Sequence, residues 1–183
     1  NPNFGGLHDE TGLPFVMYDL SLAGYGGRQG KDGVEALSPV MNCSNIPVEV
    51  HETHNPIRVR RLELIQDSGG PGKWRGGCGL RKDIEMLNST AVLSNLGDRH
   101  RFPSYGLFGG KPGTLAETFL NPDGNAEPLH SKGMYDLKKG DVVSFRLSGA
   151  GGYGPVAERD PNAIAQDLAE GYISEEGAHR DYG

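Results

Sequence analysis

Glycine constrains this chain more than any other residue. Twenty-nine of its 183 residues are glycine, about twice the usual share of roughly 7 per cent. They gather in four clusters, "GYGGRQGKDG", "DSGGPGKWRGGCGL", "GLFGGKPG" and "SGAGGYG". There is no G-X-Y period and no Ser/Gln-rich low complexity, and short apolar segments lie between the clusters. Glycine reaches positive φ without a Cβ clash, so clusters of it between strand-like runs mark tight, defined connections rather than slack linkers.

The intervening segments read mainly as strands. In "VVSFRL" Val143, Phe145 and Leu147 share one face and Ser144 and Arg146 the other, the alternation of a half-buried strand. "IRVRRLELI" alternates too, but its apolar parity shifts at Arg60 and Arg61, from Ile57 and Val59 to Leu62 and Leu64. A bulge there would keep both halves pointed at the core. "DIEML" and "TAVLSNL" are further strands. One helix is well marked by Asp160 as N-cap, Pro161 at the first position, Ile164 and Leu168 one turn apart and Gly171 as the stop, and Ser174 caps a last short turn. The expected fold class is α+β, predominantly β, with short strands joined by glycine-rich shaped loops and a C-terminal helix. A glycine-rich leading segment (1–45), a β-rich core (46–156) and a helical tail (157–183) are expected to form a single domain, the size suiting one core.

Composition excludes whole classes of function. The formal net charge is -6, which argues against a phosphate-tracking, nucleic-acid-binding surface. No apolar run approaches the roughly 20 residues of a membrane span, and "NPNFGGLHDE" has neither the charged nor the apolar region of a signal peptide. Cys43 and Cys78 are too far apart for a C-x-x-C site and too few for a disulfide framework, so free thiols in a reducing cytoplasm are expected. The chain begins at Asn1 and stops at "RDYG"; this fits a portion of a longer polypeptide and a trimmed chain equally well.

Motif by motif, little chemistry is announced. A Walker A loop needs a lysine followed by Ser or Thr, whereas Lys73 is followed by Trp74 and Lys111 by Pro112. "GAGGYG", Gly149 to Gly154, matches G-x-G-x-x-G after a strand, but Pro155 and "VAERD" stand where a phosphate-facing helix would start, so a structural turn is expected. No G-x-S-x-G elbow is present. "HETH", His51 to His54, resembles a metal pair, but read as a strand it sends the two histidines to opposite faces, and ordinary polar residues at a strand end are the commoner outcome. "GDRHRF" places Asp98, Arg99, His100 and Arg101 together, either to bind a carboxylate or orient a catalytic group, or as a surface ion-pair cluster. Arg28 and Asp32 of "GGRQGKDG" join Asp98, Arg99 and His100 as candidates for substrate contact, since charges on glycine-shaped loops can be set beside a cleft.

Taken in order, "GYGGRQGKDG", "NIPVEVHETHNPIRVRRLELIQDSGGPGKWRGGCGL", "LGDRHRFPSYGLFGGKPG", "LKKGDVVSFRLSGAGGYG" and "ERDPNAIAQDLAEGYISEEGAHRDYG" resemble the C-terminal part of the hydantoinase B family. This family includes the B-type half of 5-oxoprolinase and the large subunits of acetone and acetophenone carboxylases, and the resemblance covers essentially the whole chain. It differs from the family pattern where Gly154 runs directly into Pro155 without an intervening Asp, and where Cys78 stands in place of an aliphatic residue.

The resemblance implies an enzyme that works with a hydantoinase A-type ATPase partner of actin-like fold. ATP and Mg bound on that partner phosphorylate a carbonyl oxygen of a small-molecule substrate, so that a cyclic amide is hydrolysed or a ketone carboxylated. It also implies a divalent metal, Zn, Mn or Fe, in the remainder of the B-type subunit, with neither cofactor nor metal bound by this chain. Three roles stay open: part of an ATP-dependent cyclic amide hydrolase, part of a ketone carboxylase, and a scaffold domain contributing no reacting group. Partners expected are the rest of the B-type subunit and the A-type subunit, with no nucleic acid and no membrane. Only 36% of residues are hydrophobic, so the core is expected to be lean and to depend on those partners.

Overall fold

The computed structural model describes residues 2–37 and 45–183; Cys43 lies outside them. The element order is β1 (Asn3–Leu7), β2 (Pro14–Tyr18), α1 (Val48–His54), β3 (Ile57–Ile65), β4 (Gly79–Met86), β5 (Thr90–Leu96), β6 (Glu117–Leu120), β7 (Glu127–Pro128), β8 (Lys132–Lys138), β9 (Val142–Arg146), α2 (Pro161–Glu170) and α3 (Glu175–Tyr182), with a 3-10 turn at Val156–Glu158 before α2. The strands form two antiparallel sheets, ordered β2-β1-β5-β8 and β3-β4-β9-β6-β7. The fold is α+β and mostly β, as the sequence predicts.

The two sheets enclose one core. Phe4, Met17 and Leu93 come from the first sheet, and Ile84, Val143 and Phe145 from the second. The rings of Phe4 and Phe145 meet edge to face with centroids 6.2 Å apart, a favourable aromatic geometry. Burying each such large apolar side chain contributes about 1.5–3 kcal/mol.

The bulge in β3 sits between Val59 and Arg61, at the parity shift. Leu62 and Leu64 lie opposite Lys82 and Leu80, and so share the inward face with Ile57 and Val59, which lie opposite Met86 and Ile84. The core nevertheless ends before them: Ile57 is 2% exposed, Leu62 49% and Leu64 39%.

The four glycine clusters do more than turn the chain. They hydrogen-bond to one another, backbone to backbone, in a layer at one end of the sheets. Gly70 donates to Ala150 O and Ala150 to Gly77 O; Trp74 and Tyr153 exchange both bonds; Leu107 donates to Gly152 O, Gly27 to Gly151 O and Gly77 to Tyr25 O. At this spacing a side chain has no room. A Cβ on Gly149 would collide with the Ser68 carbonyl, and one on Gly151 with the Tyr105 carbonyl. "GAGGYG" is therefore a packing element, and the 3-10 turn after Pro155 shows that no helix opens from it.

The tail follows its caps. The Asp160 carboxylate accepts from Asn162 N–H, Gly171 ends α2 at φ 78°, and Ser174 Oγ accepts from Gly177 N–H. One expectation is overturned: "HETH" belongs to helix α1 and not to a strand. Pro47 precedes the first helical residue, and Thr53 Oγ1 donates back to the Glu49 carbonyl.

Candidate functional site

The loop that leaves β5, residues 97–102, is where surface depressions converge. Four open beside it, of about 210, 440, 270 and 310 Å³. His100 lines three of them, and Arg99 and Arg101 two each.

The His100 ring is fixed at both nitrogens. Nδ1 lies 3.1 Å from the Asp98 carbonyl and Nε2 lies 3.2 Å from Thr118 Oγ1. A carbonyl only accepts, so Nδ1 carries the proton of the neutral ring and Nε2 accepts from the threonine hydroxyl. Thr118 Oγ1 in turn lies 3.5 Å from Asn95 Nδ2, which also donates to the His130 carbonyl at 2.9 Å. The ring packs on Gly97, where a Cβ would come within 2.6 Å of His100 Cε1. Asn95 and Thr118 are buried, so this chain of hydrogen bonds ties the loop to β5 and β6.

Arg99 is exposed and adopts φ 65°, a left-handed conformation uncommon for a residue with a side chain. Its carbonyl accepts from Ala116 N–H at 3.0 Å, which holds the strain in place. Among the described residues its guanidinium has no carboxylate within ion-pair distance, and it flanks a groove floored by Gly26, Gly27, Gly151 and Gly152 and bordered by Tyr105. Arg101 lies over the Phe102 ring at 5.9 Å. Asp98 is highly exposed and 3.5 Å from Lys132 Nζ. Arg99 and Arg101 outnumber Asp98 in this loop, and Lys132 of β8 beside it is offset by Glu117 of β6, so the loop is cationic on a chain of net charge -6, suited to a carboxylate or phosphoryl oxygen.

The other two candidates lie elsewhere. Arg28 forms a tight turn with Lys31 and sits 5.6 Å from the Tyr25 ring. Asp32 faces inward and receives Arg159 through both nitrogens, at 2.9 and 3.0 Å, and Arg75 N–H at 2.6 Å. Burial opposes ionisation of Asp32, but the Arg159 guanidinium and the Arg75 N–H outweigh it and hold the carboxyl below the usual carboxylate range. Neither residue lines the four depressions around residues 97–102.

Asp32 belongs to a buried charged knot. Arg75 Nε lies 3.1 Å from Asp167 and its Nη1 lies 3.1 Å from Glu35, while Arg159 Nη2 reaches Asp167 at 2.5 Å. The two guanidiniums stack on Tyr172 and Tyr182 at 4.6 and 5.6 Å. Burial pushes the Tyr182 hydroxyl up to about 12, and the nearby Arg159 only partly opposes it. The Cys78 thiol, free and buried at the edge of this knot, is pushed up by burial as well. The knot fastens α2 and α3 to the glycine layer.

A second buried cluster escaped the sequence reading. His51 Nε2 is 3.3 Å from Asp19 Oδ1, and Lys82 Nζ is 2.7 Å from Asp19 Oδ2, which also accepts from Ser21 Oγ at 2.9 Å. Burial opposes the charge on Asp19, yet Lys82, Ser21 and His51 together hold its carboxyl below the usual range. The ammonium of Lys82 already occupies one Asp19 oxygen, and His54, one turn on from the buried His51, is exposed. Among the described residues no three His, Cys, Asp or Glu side chains are grouped to hold a metal ion, so the divalent metal implied by the family resemblance finds no donor set in them. One signal for this cluster was legible: Lys82 falls in the inward register of Leu80, Ile84 and Met86, and a lysine there demands a buried partner.

Comparison with known proteins places the chain. The family model described as Hydantoinase B/oxoprolinase matches residues 1–156. Protein MJ0963 of Methanocaldococcus jannaschii is 41% identical over 138 residues, which are 75% of this chain and 24% of that protein. The crystal structure of the ATP-dependent caprolactamase from Pseudomonas jessenii superposes on 100% of this chain and 33% of its own, with TM-score 0.88 and 25% identity. The nucleotide-free structure of acetone carboxylase covers 99% of this chain and 29% of its own, with TM-score 0.83 and 20% identity, a likeness of fold. The chain thus spans about a quarter to a third of the relatives it matches. It belongs to the hydantoinase B/oxoprolinase family.

Proposed function

We propose that this chain is the C-terminal portion of a B-type subunit in an ATP-dependent enzyme that hydrolyses a cyclic amide, with ATP consumed on an A-type partner. The observation that carries this reading is the match of the whole chain to an ATP-dependent caprolactamase, at 25% identity and TM-score 0.88. The acetone carboxylase likeness, at 20% identity, supports the shared fold and leaves ketone carboxylation as the alternative reading. A scaffold role without reacting groups is the third.

On this reading the loop 98–101 faces the substrate. Arg99, without a carboxylate partner among the described residues, offers a cation for a carboxylate or phosphoryl oxygen, and His100, held by Asp98 O and Thr118, gives the loop a fixed shape. Asp98 sets the local charge beside Lys132. Arg28 stands at the surface of the glycine layer, and Asp32 acts through Arg159 as a positioning residue. ATP with Mg belongs to the partner, and a divalent metal to the remainder of the B-type subunit.

The test is ADP release by the assembled native complex supplied with ATP. Ring opening of caprolactam, a hydantoin or 5-oxoproline, coupled to ADP and independent of bicarbonate, supports hydrolysis. ADP release that requires both a ketone and bicarbonate overturns it in favour of carboxylation. Unchanged turnover with alanine at Asp98, Arg99 and His100 in turn would assign the loop to structure.

A further inference from the structure

Strand β1 lies inside the four-stranded sheet, and its residues alternate between the core and the outer face. Phe4 points inward at 1% exposure. Gly5 points outward, in register between Val16 of β2 and Val92 of β5. One residue pair along, Asn3 lies between Tyr18 and Ser94, and Ser94 pairs with Met134 of β8. Val16, Tyr18 and Met134 are 80%, 53% and 75% exposed. Val16 and Val92, the latter 37% exposed, thus flank Gly5 with Tyr18 beside Val16, while Asn3 and Ser94 separate Tyr18 from Met134, and Asp136 and Lys132 stand on the edge strand β8. The helices pack against β3, against one another and against the 3-10 turn.

Gly5 has no internal reason to be glycine. Its φ is not in the left-handed region, and a Cβ there would meet only the Phe15 carbonyl, at the ordinary contact distance of 3.6 Å. Its neighbour Gly6 differs, since a Cβ there would press on the Phe15 ring at 3.0 Å and the Thr90 carbonyl at 3.1 Å. Glycine weakens a strand interior, and where packing and turns do not require it, it marks a close approach from outside. Gly5 floors a depression of about 310 Å³ bordered by Thr90, Val92 and Asp136.

We propose that the outer face of this sheet seats the part of a hydantoinase B-type polypeptide that lies beyond these 183 residues, and that an apolar side chain of it enters the depression over Gly5. The occupant follows from the share of chain left over. This chain covers 33% of the solved caprolactamase chain and 29% of the acetone carboxylase chain, so most of such a polypeptide must find a surface to pack on. The inference rests on family membership and is independent of the choice between hydrolysis and carboxylation.

The test is a photo-crosslinking amino acid, p-benzoylphenylalanine, placed at Val16 of the tagged chain in its native host. The complex is irradiated, purified and mapped by mass spectrometry. Adducts to the B-type polypeptide outside the 183 residues are expected. Adducts confined to a second copy of this face or to the A-type subunit, or none from an intact complex, overturn the proposal. Gly5→Leu then tests the depression. A crosslinking yield at Val16 cut at least about tenfold, with amide-exchange protection of β1 and β5 retained, is expected; an undiminished yield overturns entry over Gly5.

Discussion

Arg99 combines backbone strain with a charge that has no carboxylate partner among the described residues, and the two can be separated. A side chain at φ 65° costs about 1 kcal/mol that glycine would not. Arg99→Gly is therefore expected to stabilise the protein by about that amount, and Arg99→Ala, which keeps the strain, to leave stability nearly unchanged. Both remove the guanidinium, and both are expected to raise KM at least about tenfold, the scale of one charge-assisted hydrogen bond. Thermal melts beside steady-state kinetics of the assembled complex read the two effects, and an unaltered KM in both variants would show that Arg99 meets no substrate. Lys82 makes a different prediction. Removing one partner of a buried ion pair costs about 3–5 kcal/mol, so Lys82→Met is expected to destabilise strongly at pH 7. Asp19, whose folded pKa is depressed, gives the native protein stability that is present above the unfolded carboxylate value of about 4 and lost as pH falls through the folded value. In the variant, protonation of Asp19 relieves a buried charge left with only His51 and Ser21 beside it, so the stability gap is expected to narrow between pH 7 and pH 4. Denaturant melts across that range check it, and a constant gap would remove Asp19 from the account. Asp98, Arg99 and His100 were legible as candidates because they adjoin in sequence. Asp19, His51 and Lys82 were not grouped, because only the pairing of distant elements brings them together.

Where local chemistry decides an element, the sequence was readable. Asp160, Pro161, Gly171 and Ser174 cap the tail helices where their own hydrogen bonds require it. The parity shift in β3 located its bulge. Helix α1 was not readable in this way: "VEVHETH" carries β-branched residues, and what fixes it as a helix is His51 docking on Asp19, a tertiary contact overriding weak propensity. The glycine clusters were read as tight connections. That they stack on one another is set by pairing between loops far apart in sequence. Their stacking predicts a graded response to methyl groups. Gly149→Ala forces Cβ onto the Ser68 backbone and is expected to cost about 3 kcal/mol or more, since backbone on both sides leaves nothing to yield. Gly124→Ala meets nothing within 4 Å and is expected to stay within about 0.5 kcal/mol. Equal melting temperatures for the two would refute the view that backbone contact, rather than loop flexibility, requires the first glycine.

At the scale of the whole molecule, the two sheets close one core but leave much apolar surface outside it. Val16, Phe102, Tyr105, Phe108 and Met134 are each more than 70% exposed. The glycine layer is held by hydrogen bonds between backbones, which contribute about 0.5–1.5 kcal/mol net apiece, while ordering each glycine costs more backbone entropy than ordering any other residue. The charged knot adds specificity of docking for α2 and α3, but a buried ion network adds little net stability against its desolvation cost. Stability must then come from the inter-sheet core, and the exposed apolar faces gain only when something covers them. We therefore expect the isolated chain to unfold below about 60 °C, the upper range of mesophile domains. We also expect it to gain thermal stability when co-expressed with the rest of a B-type polypeptide. Calorimetry of the chain alone and in that complex is the measurement. A cooperative transition above about 60 °C for the monomer, unmoved by the partner, would mean that the sandwich core is sufficient by itself and that the exposed faces contribute nothing to its folding.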